Sequence, residues 1–175
     1  MSAGYLFLDV DGVLNPTRLN ANKLDSTFSK HAIGGFKVWL SKRQGYWLDN
    51  LRYRGITIVW ATTWVTAPEA LATLATRLGL PTDLPRIDDV DQTETVNCGK
   101  GKFIDRWLHE NGVNPRRVPC VWVDDLLGNR DRMWAWDKGI FPVTVDDRVG
   151  LADRRVIKTI EVGLGLDCSC DSEEA

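Results

Sequence analysis

The chain of 175 residues holds 43% hydrophobic and 26% charged residues at a net charge of -2, a mix that suits one compact domain and excludes a disordered or fibrous chain. No apolar run approaches the ~20 residues that span a bilayer, and the small net charge argues against a protein that coats nucleic acid over its whole surface. Cysteines at 98, 120, 168 and 170 do not form the spacing of a secreted disulfide framework.

The N-terminus lacks a basic n-region, and an acidic motif cuts its apolar run short, so no signal peptide and a cytoplasmic protein are expected. Tyr5 to Leu8 is an apolar run ending in Asp9 and predicts a buried strand. Gly35 to Lys42 alternates apolar and polar residues, which predicts a hairpin flap within an insert over 16–42. Residues 16–54 carry eight Lys/Arg against two acids. That +6 segment reads either as solvated faces or as a basic lip beside an anion site. Arg43 to Arg54 predicts a helix with Trp47, Leu48 and Leu51 on one face and Gly55 as its stop.

Ile56 to Ala61 is a second strand, rich in β-branched residues. Thr66-Ala67-Pro68-Glu69 has the pattern of a capping box. It opens a helix with Leu71, Leu74, Ala75 and Leu78 inward and Gly79 as its end. Arg86-Ile87 is a candidate short edge strand, and Asp88, Asp89, Asp91 and Glu94 follow in an acidic loop. Lys100 to Glu110 sets Phe103, Ile104, Trp107 and Leu108 on one stripe. Pro119 to Val123 is a third strand, followed by Asp124 and Asp125, and Phe141 to Val145 is a fourth. Arg130 to Lys138 and Leu151 to Val162 are further helices. One domain over 1–166 and a disordered acidic tail over 167–175 are expected. Cys168 and Cys170 form a C-x-C in that tail, without the further ligands a metal site needs.

Strands alternating with helices of this length predict a parallel α/β sheet. Ligands of such sheets sit beyond the carboxyl ends of the strands. Those ends carry Asp9 and Asp11, then Thr62 and Thr63, then Asp124 and Asp125. Asp9-Val10-Asp11-Gly12 alone could be a turn or the start of a calcium loop. The calcium loop fails, because Val13 stands at a ligand position and Asn20 where a closing glutamate belongs. Four carboxylates gathered without a cation would repel one another. A divalent ion relieves that, and an all-oxygen ligand set favours Mg²⁺.

Four segments in order resemble the motifs of the haloacid dehalogenase-like (HAD) phosphatase superfamily: Leu6-Phe7-Leu8-Asp9-Val10-Asp11-Gly12-Val13-Leu14-Asn15, then Thr62 closing Ile58 to Ala61, then Lys100 opening a helix, then Val121-Trp122-Val123-Asp124-Asp125. Val59 to Trp64 and Val145 to Leu151 resemble, more closely, a small subfamily found in RNA-repair proteins. Asp147 departs from it, since proline is expected there. The resemblance implies a Rossmann-like, doubly wound fold with a minimal cap. It implies Asp9 as a nucleophile that becomes an aspartyl-phosphate, and Asp11 as the general acid and base. It further implies Thr62 as a hydrogen-bond donor to the phosphoryl group and Lys100 as its electrostatic partner. Mg²⁺ would be held by Asp9, the backbone carbonyl of Asp11, and Asp124 or Asp125.

Several alternatives stay open at this level. Lys102 competes with Lys100, and either member of the Asp124-Asp125 pair could bind the metal directly. Gly12, Thr63, Trp39 and Trp64 are the candidate substrate-binding residues; either tryptophan could stack on a base or pack in the core. Trp60, Trp107 and Trp122 read as core, and His31 and His109 as isolated. The small insert leaves an open site, which with the basic segment suggests a nucleic-acid terminus or nucleotide as substrate, without a membrane partner. A phosphatase of a small metabolite or phosphoprotein, or a non-catalytic nucleic-acid-binding or regulatory module, are the other readings.

Overall fold

A computed structural model describes residues 2–18, 26–88 and 99–166. In chain order the elements are β1 (Gly4–Leu8), β2 (Phe28–Ile33), β3 (Phe36–Ser41), α1 (Lys42–Tyr53), β4 (Ile56–Trp60), α2 (Pro68–Leu78), α3 (Lys100–Glu110), β5 (Cys120–Asp124), α4 (Asn129–Lys138), β6 (Phe141–Thr144) and α5 (Arg154–Gly163). Cys98, most of the acidic loop and the C-terminal tail with its C-x-C lie outside the described residues.

β4, β1, β5 and β6 form one parallel sheet in that order. Strands covered on both faces read as continuous apolar runs, and Leu6, Phe7, Leu8, Ile58, Val59, Val121, Trp122 and Val123 are all fully buried. Successive side chains leave a strand on opposite faces. Phe7 and Trp122, paired in register, meet α3 and α4 through edge-on contacts with Trp107 and Trp134. A hydrogen bond from Trp47 of α1 to Glu161 of α5, 2.9 Å, ties those two helices together. The fold is α/β and Rossmann-like, as expected.

β2 and β3 form the predicted hairpin. Its two-residue turn is Gly34-Gly35, at φ of 57° and 83°, the positive pair that a tight hairpin turn requires. The hairpin buries Ile33, Val38 and Leu40, and its closeness to α2 is strict: a Cβ on Gly34 would lie 2.8 Å from that of Ala70.

Three sequence expectations need correction. Thr66 does not cap α2; it ends a 3-10 turn over Thr63–Thr66, and its hydroxyl donates to the carbonyl of Thr63. Ala67 is the N-cap and makes no side-chain cap bond. Arg86 makes a single bridge to Trp60 rather than a strand, because Pro85 immediately before it supplies no backbone donor. Residues 150–152 form a separate 3-10 turn, and α5 starts at Arg154 because Asp153 accepts from the Arg155 N–H and caps it.

Candidate active site at the strand ends

The sheet order decides what converges. β1 lies between β4 and β5, so the residue after β1 is flanked by the residues after its two neighbours. Asp9 therefore stands beside Thr62 on one side and Asp124 and Asp125 on the other. Adjacent strands lie about 4.8 Å apart, and one carboxylate oxygen from each of Asp9, Asp124 and Asp125 lies within 4.8 Å of the others. Asp9 is 6% exposed and Asp124 is fully buried.

Lys100 enters this cluster from the first turn of α3. It is 3% exposed, and its Nζ donates to Asp9 Oδ2 and, at 2.7 Å, to Asp124 Oδ2. Lys102, two residues on, points to solvent over the ring of Phe103. Gly101 lets α3 enter so closely: a Cβ there would lie 3.0 Å from the indole of Trp134. The remaining Asp9 oxygen accepts from the Val10 N–H at 2.7 Å, and Asp124 Oδ1 accepts from the Leu126 N–H at 2.9 Å. Thr62 is fully buried; its hydroxyl accepts from the Trp64 N–H at 3.4 Å and favours the charged form of Asp9.

Burial pushes the Asp9 carboxyl up to about 7, with Asp124 adding to the rise and Lys100 and Thr62 opposing it. Burial and the neighbouring Asp124 likewise raise Asp125 to about 6. Burial alone would lower the Lys100 ammonium, but Asp9 and Asp124 outweigh it and hold it protonated. Among the described residues, the Lys100 ammonium bonds two of the three carboxylates. Among the described residues the cluster carries more carboxylates than cations, and its ligand atoms are all hard oxygens, so Asp9, Asp124 and Asp125 fit a cation of the Mg²⁺ type. The Asp11 carboxylate is not part of that group of three; its two oxygens accept from Asn15 and Trp64.

The pKa shifts fix the sign of a pH effect. A carboxyl whose folded pKa is raised stabilises the fold at low pH and loses that contribution as pH climbs through the folded value. In the metal-free chain, thermal stability is expected to fall as pH rises from 5 to 8, across the shifted values of about 6 and about 7. Scanning calorimetry in chelator checks this, and millimolar Mg²⁺ is expected to flatten the slope.

Asp11 is held at both oxygens. Asn15 Nδ2 donates to Oδ1 at 2.7 Å and Trp64 Nε1 donates to Oδ2 at 2.8 Å. Asn15 in turn accepts from the Trp39 backbone N–H at 2.9 Å, which fastens the hairpin edge to the Asp11 loop. That loop is a tight turn in which three successive N–H groups reach the Val10 carbonyl. Trp64, 8% exposed, is both a core residue and the donor to Asp11. Asn15 was legible only as the last residue of the first motif; its bridging role depends on the hairpin position, which no local pattern reveals.

Gly12 sits at φ 74°, and a Cβ there would lie 2.2 Å from Asp125 Cγ. It is a glycine because Asp125 packs directly on the backbone. The change Gly12→Ala should displace Asp125 and destabilise the fold by about 1–3 kcal/mol. Mg²⁺ titration calorimetry and thermal melts check both effects. The segment after β6 clamps the same loop from the other side. Leu151 N–H donates to the Val13 carbonyl at 2.9 Å, and a Cβ on Gly150 would lie 2.1 Å from that oxygen. The Asp147 carboxylate, where proline was expected, pairs with Arg18 at 2.5 Å and accepts from the Thr17 hydroxyl at 3.3 Å. The departure thus has a local function in anchoring the start of the insert.

A cleft of about 370 Å³ opens beside Asp11, lined by Asn15, Phe36, Lys37, Val38, Thr63, Trp64, Thr66 and Ala67. Trp39 does not line it. Strand alternation puts its half-buried ring on the hairpin face opposite Val38 and Leu40. Phe36 and Lys37 take part instead, and neither was singled out as a site residue by sequence.

No curated protein matches the chain. A solved structure, that of a hypothetical protein from Xanthomonas campestris, is similar at 16% identity and a TM-score of 0.46, covering 94% of this chain and 84% of that one. The family model for the HAD domain in Swiss Army Knife RNA repair proteins matches residues 5–156, a span that holds every strand-end group just described. Because that match covers well over half of the chain, the chain belongs to the HAD domains of the Swiss Army Knife RNA repair type.

Proposed function

We propose that the chain is a Mg²⁺-dependent phosphohydrolase that works through an aspartyl-phosphate on Asp9 and acts on a nucleic-acid terminus or nucleotide. Membership of the family supports a hydrolase or phosphatase in general terms. The observation that carries the finer reading is the buried Asp9 carboxylate, flanked by Lys100, Thr62 and the Asp124-Asp125 pair, with Asp11 two residues on.

In this reading Asp9 attacks phosphorus, and the bond to the leaving oxygen breaks as Asp11 donates a proton to it. Asp11 then takes a proton from water, which attacks the aspartyl-phosphate, releases inorganic phosphate and restores Asp9. Lys100 and Thr62 offer fixed donors to the charge that builds on the transferring group. The bound cation would be held by Asp9, Asp124 or Asp125 and the Asp11 carbonyl, and it would supply electrostatic neutralisation of the phosphoryl oxygens. Trp64 and Asn15 orient Asp11 for its proton transfers.

Two features support a nucleic-acid or nucleotide substrate. The hairpin presents Lys37 to the cleft beside Asp11, and the family is one of RNA-repair domains. A small metabolite or phosphoprotein is the second reading, favoured by the modest cleft of about 370 Å³. Phosphate release should be assayed with 3′-phosphorylated oligonucleotides, mononucleotides, p-nitrophenyl phosphate and a sugar phosphate, with Mg²⁺ or chelator. Mg²⁺-dependent release, fastest from the oligonucleotide or nucleotide, is the expected result. No release from any substrate would end the catalytic reading, and preference for the sugar phosphate would end the nucleic-acid one.

A further inference from the structure

We infer that the cleft beside Asp11 receives the terminal nucleoside of the substrate, with its base stacked on Phe36, so that the chain acts on unpaired ends. This rests on the phosphohydrolase reading above and adds to it the group that is recognised.

Phe36 is the anomaly that starts the inference. It is 62% exposed, although its strand neighbours Val38 and Leu40 are buried. Its position at the hairpin tip follows from the Gly34-Gly35 turn. The ring is not adrift. Its centroid lies 5.8 Å from that of Trp64, tilted by 51°, and Trp64 is itself tied to Asp11 by its indole N–H. The hairpin is seated on α2 with no room for a Cβ on Gly34, and on the Asp11 loop through Asn15. An exposed aromatic face is thus held at a fixed distance from the groups that handle phosphate.

The chemistry of the cleft suits a nucleoside. Phe36 and Trp64 supply aromatic surface, Val38 and Ala67 apolar walls, and Lys37 a cation for a neighbouring phosphate. A volume of about 370 Å³ is at the low end for small-molecule sites and takes one nucleoside, not a base pair. A base inside a duplex would first have to leave its stack, which carries an energetic cost that a single-stranded end avoids. The solvated Tyr46 and Tyr53 lie on α1 and do not line the cleft.

The test reads binding rather than turnover, so that it stands apart from the phosphohydrolase assay. Fluorescence anisotropy in the Asp9→Asn background with Mg²⁺ would compare short single-stranded oligonucleotides ending in a 3′-phosphorylated nucleoside or in an abasic sugar phosphate. Adding Phe36→Ala is expected to weaken the base-bearing ligand by about tenfold or more and the abasic ligand far less. Phe36→Trp is expected to retain binding, and Tyr53→Ala to leave it unchanged. Equal loss on both ligands, or no loss on either, overturns the stacking role. Blunt duplex bound as tightly as the single strand overturns the preference for unpaired ends. A phosphotyrosine peptide bound more tightly than the oligonucleotide, with the same dependence on Phe36, overturns the nucleoside as occupant. Absence of phosphate release by the parent chain, with the Phe36 pattern intact, would count against catalysis alone.

Discussion

Replacing Asp9 by Asn should reduce kcat for phosphate release by about 10⁴-fold or more while leaving the chain folded. The amide keeps the shape of the side chain but is too poor a nucleophile to form an acyl-phosphate. The stability effect should run the other way. Asp9 shares the Lys100 ammonium with Asp124 and has Asp125 close by, and its own carboxyl is raised to about 7 by burial. Removing that charge relieves desolvation and repulsion in the metal-free protein. The variant is therefore expected to melt higher than the parent in chelator at pH 8, and to gain less than the parent from added Mg²⁺. Opposite changes in activity and stability are common where a functional site stores unfavourable charge. Steady-state kinetics with melts at pH 8 test the pair of effects. A variant that retains turnover, or that melts lower in chelator, contradicts the account of Asp9.

The Lys100→Met change should be the most destabilising single substitution in the site. It leaves Asp9 and Asp124 buried without their cation, and breaking a buried ion pair by removing one partner costs about 3–5 kcal/mol. Denaturant unfolding at pH 7.5 in chelator measures this. Lowering the pH toward 5 should recover part of the loss, because the raised Asp9 and Asp125 carboxyls then become neutral. The same variant should lose roughly 10²–10³-fold in kcat, the range for removing one fixed donor to a developing charge. Lys102→Met, on an exposed side chain, should change stability by only about 0.5 kcal/mol. Similar outcomes for the two lysines would show that the burial of Lys100 has no bearing on the site.

Much of the fold was legible locally because its determinants are local. Each strand of the sheet is a short run apolar on both faces, and each ends at a polar residue. The alternation from Gly35 to Lys42 identifies the hairpin, and Gly79 ends α2 in the left-handed conformation that its position requires. The failures came where two local signals competed. Thr66 had the sequence of a capping box, but it ends the 3-10 turn that follows Thr62, and the Thr66 hydroxyl donates to the Thr63 carbonyl instead. Arg86-Ile87 has a strand-like composition, but it gains only one bridge beside Trp60.

The site divides in the same way. From sequence alone came the polar clusters at the ends of three strands, the reason for expecting a cation among carboxylates, and Gly12 as a candidate site residue. Those follow from residue type and strand period, which are properties of short segments. Only the tertiary structure decided that Lys100 rather than Lys102 reaches Asp9, since the two differ by which way a helix face turns. It also decided that Trp64 serves Asp11 as a donor, that Trp39 contributes its backbone to the Asp11 loop, and that Phe36 is the aromatic left open to the cleft. These depend on how the hairpin packs on α2 and on the loop after β1, contacts between residues distant in sequence that no spacing rule encodes.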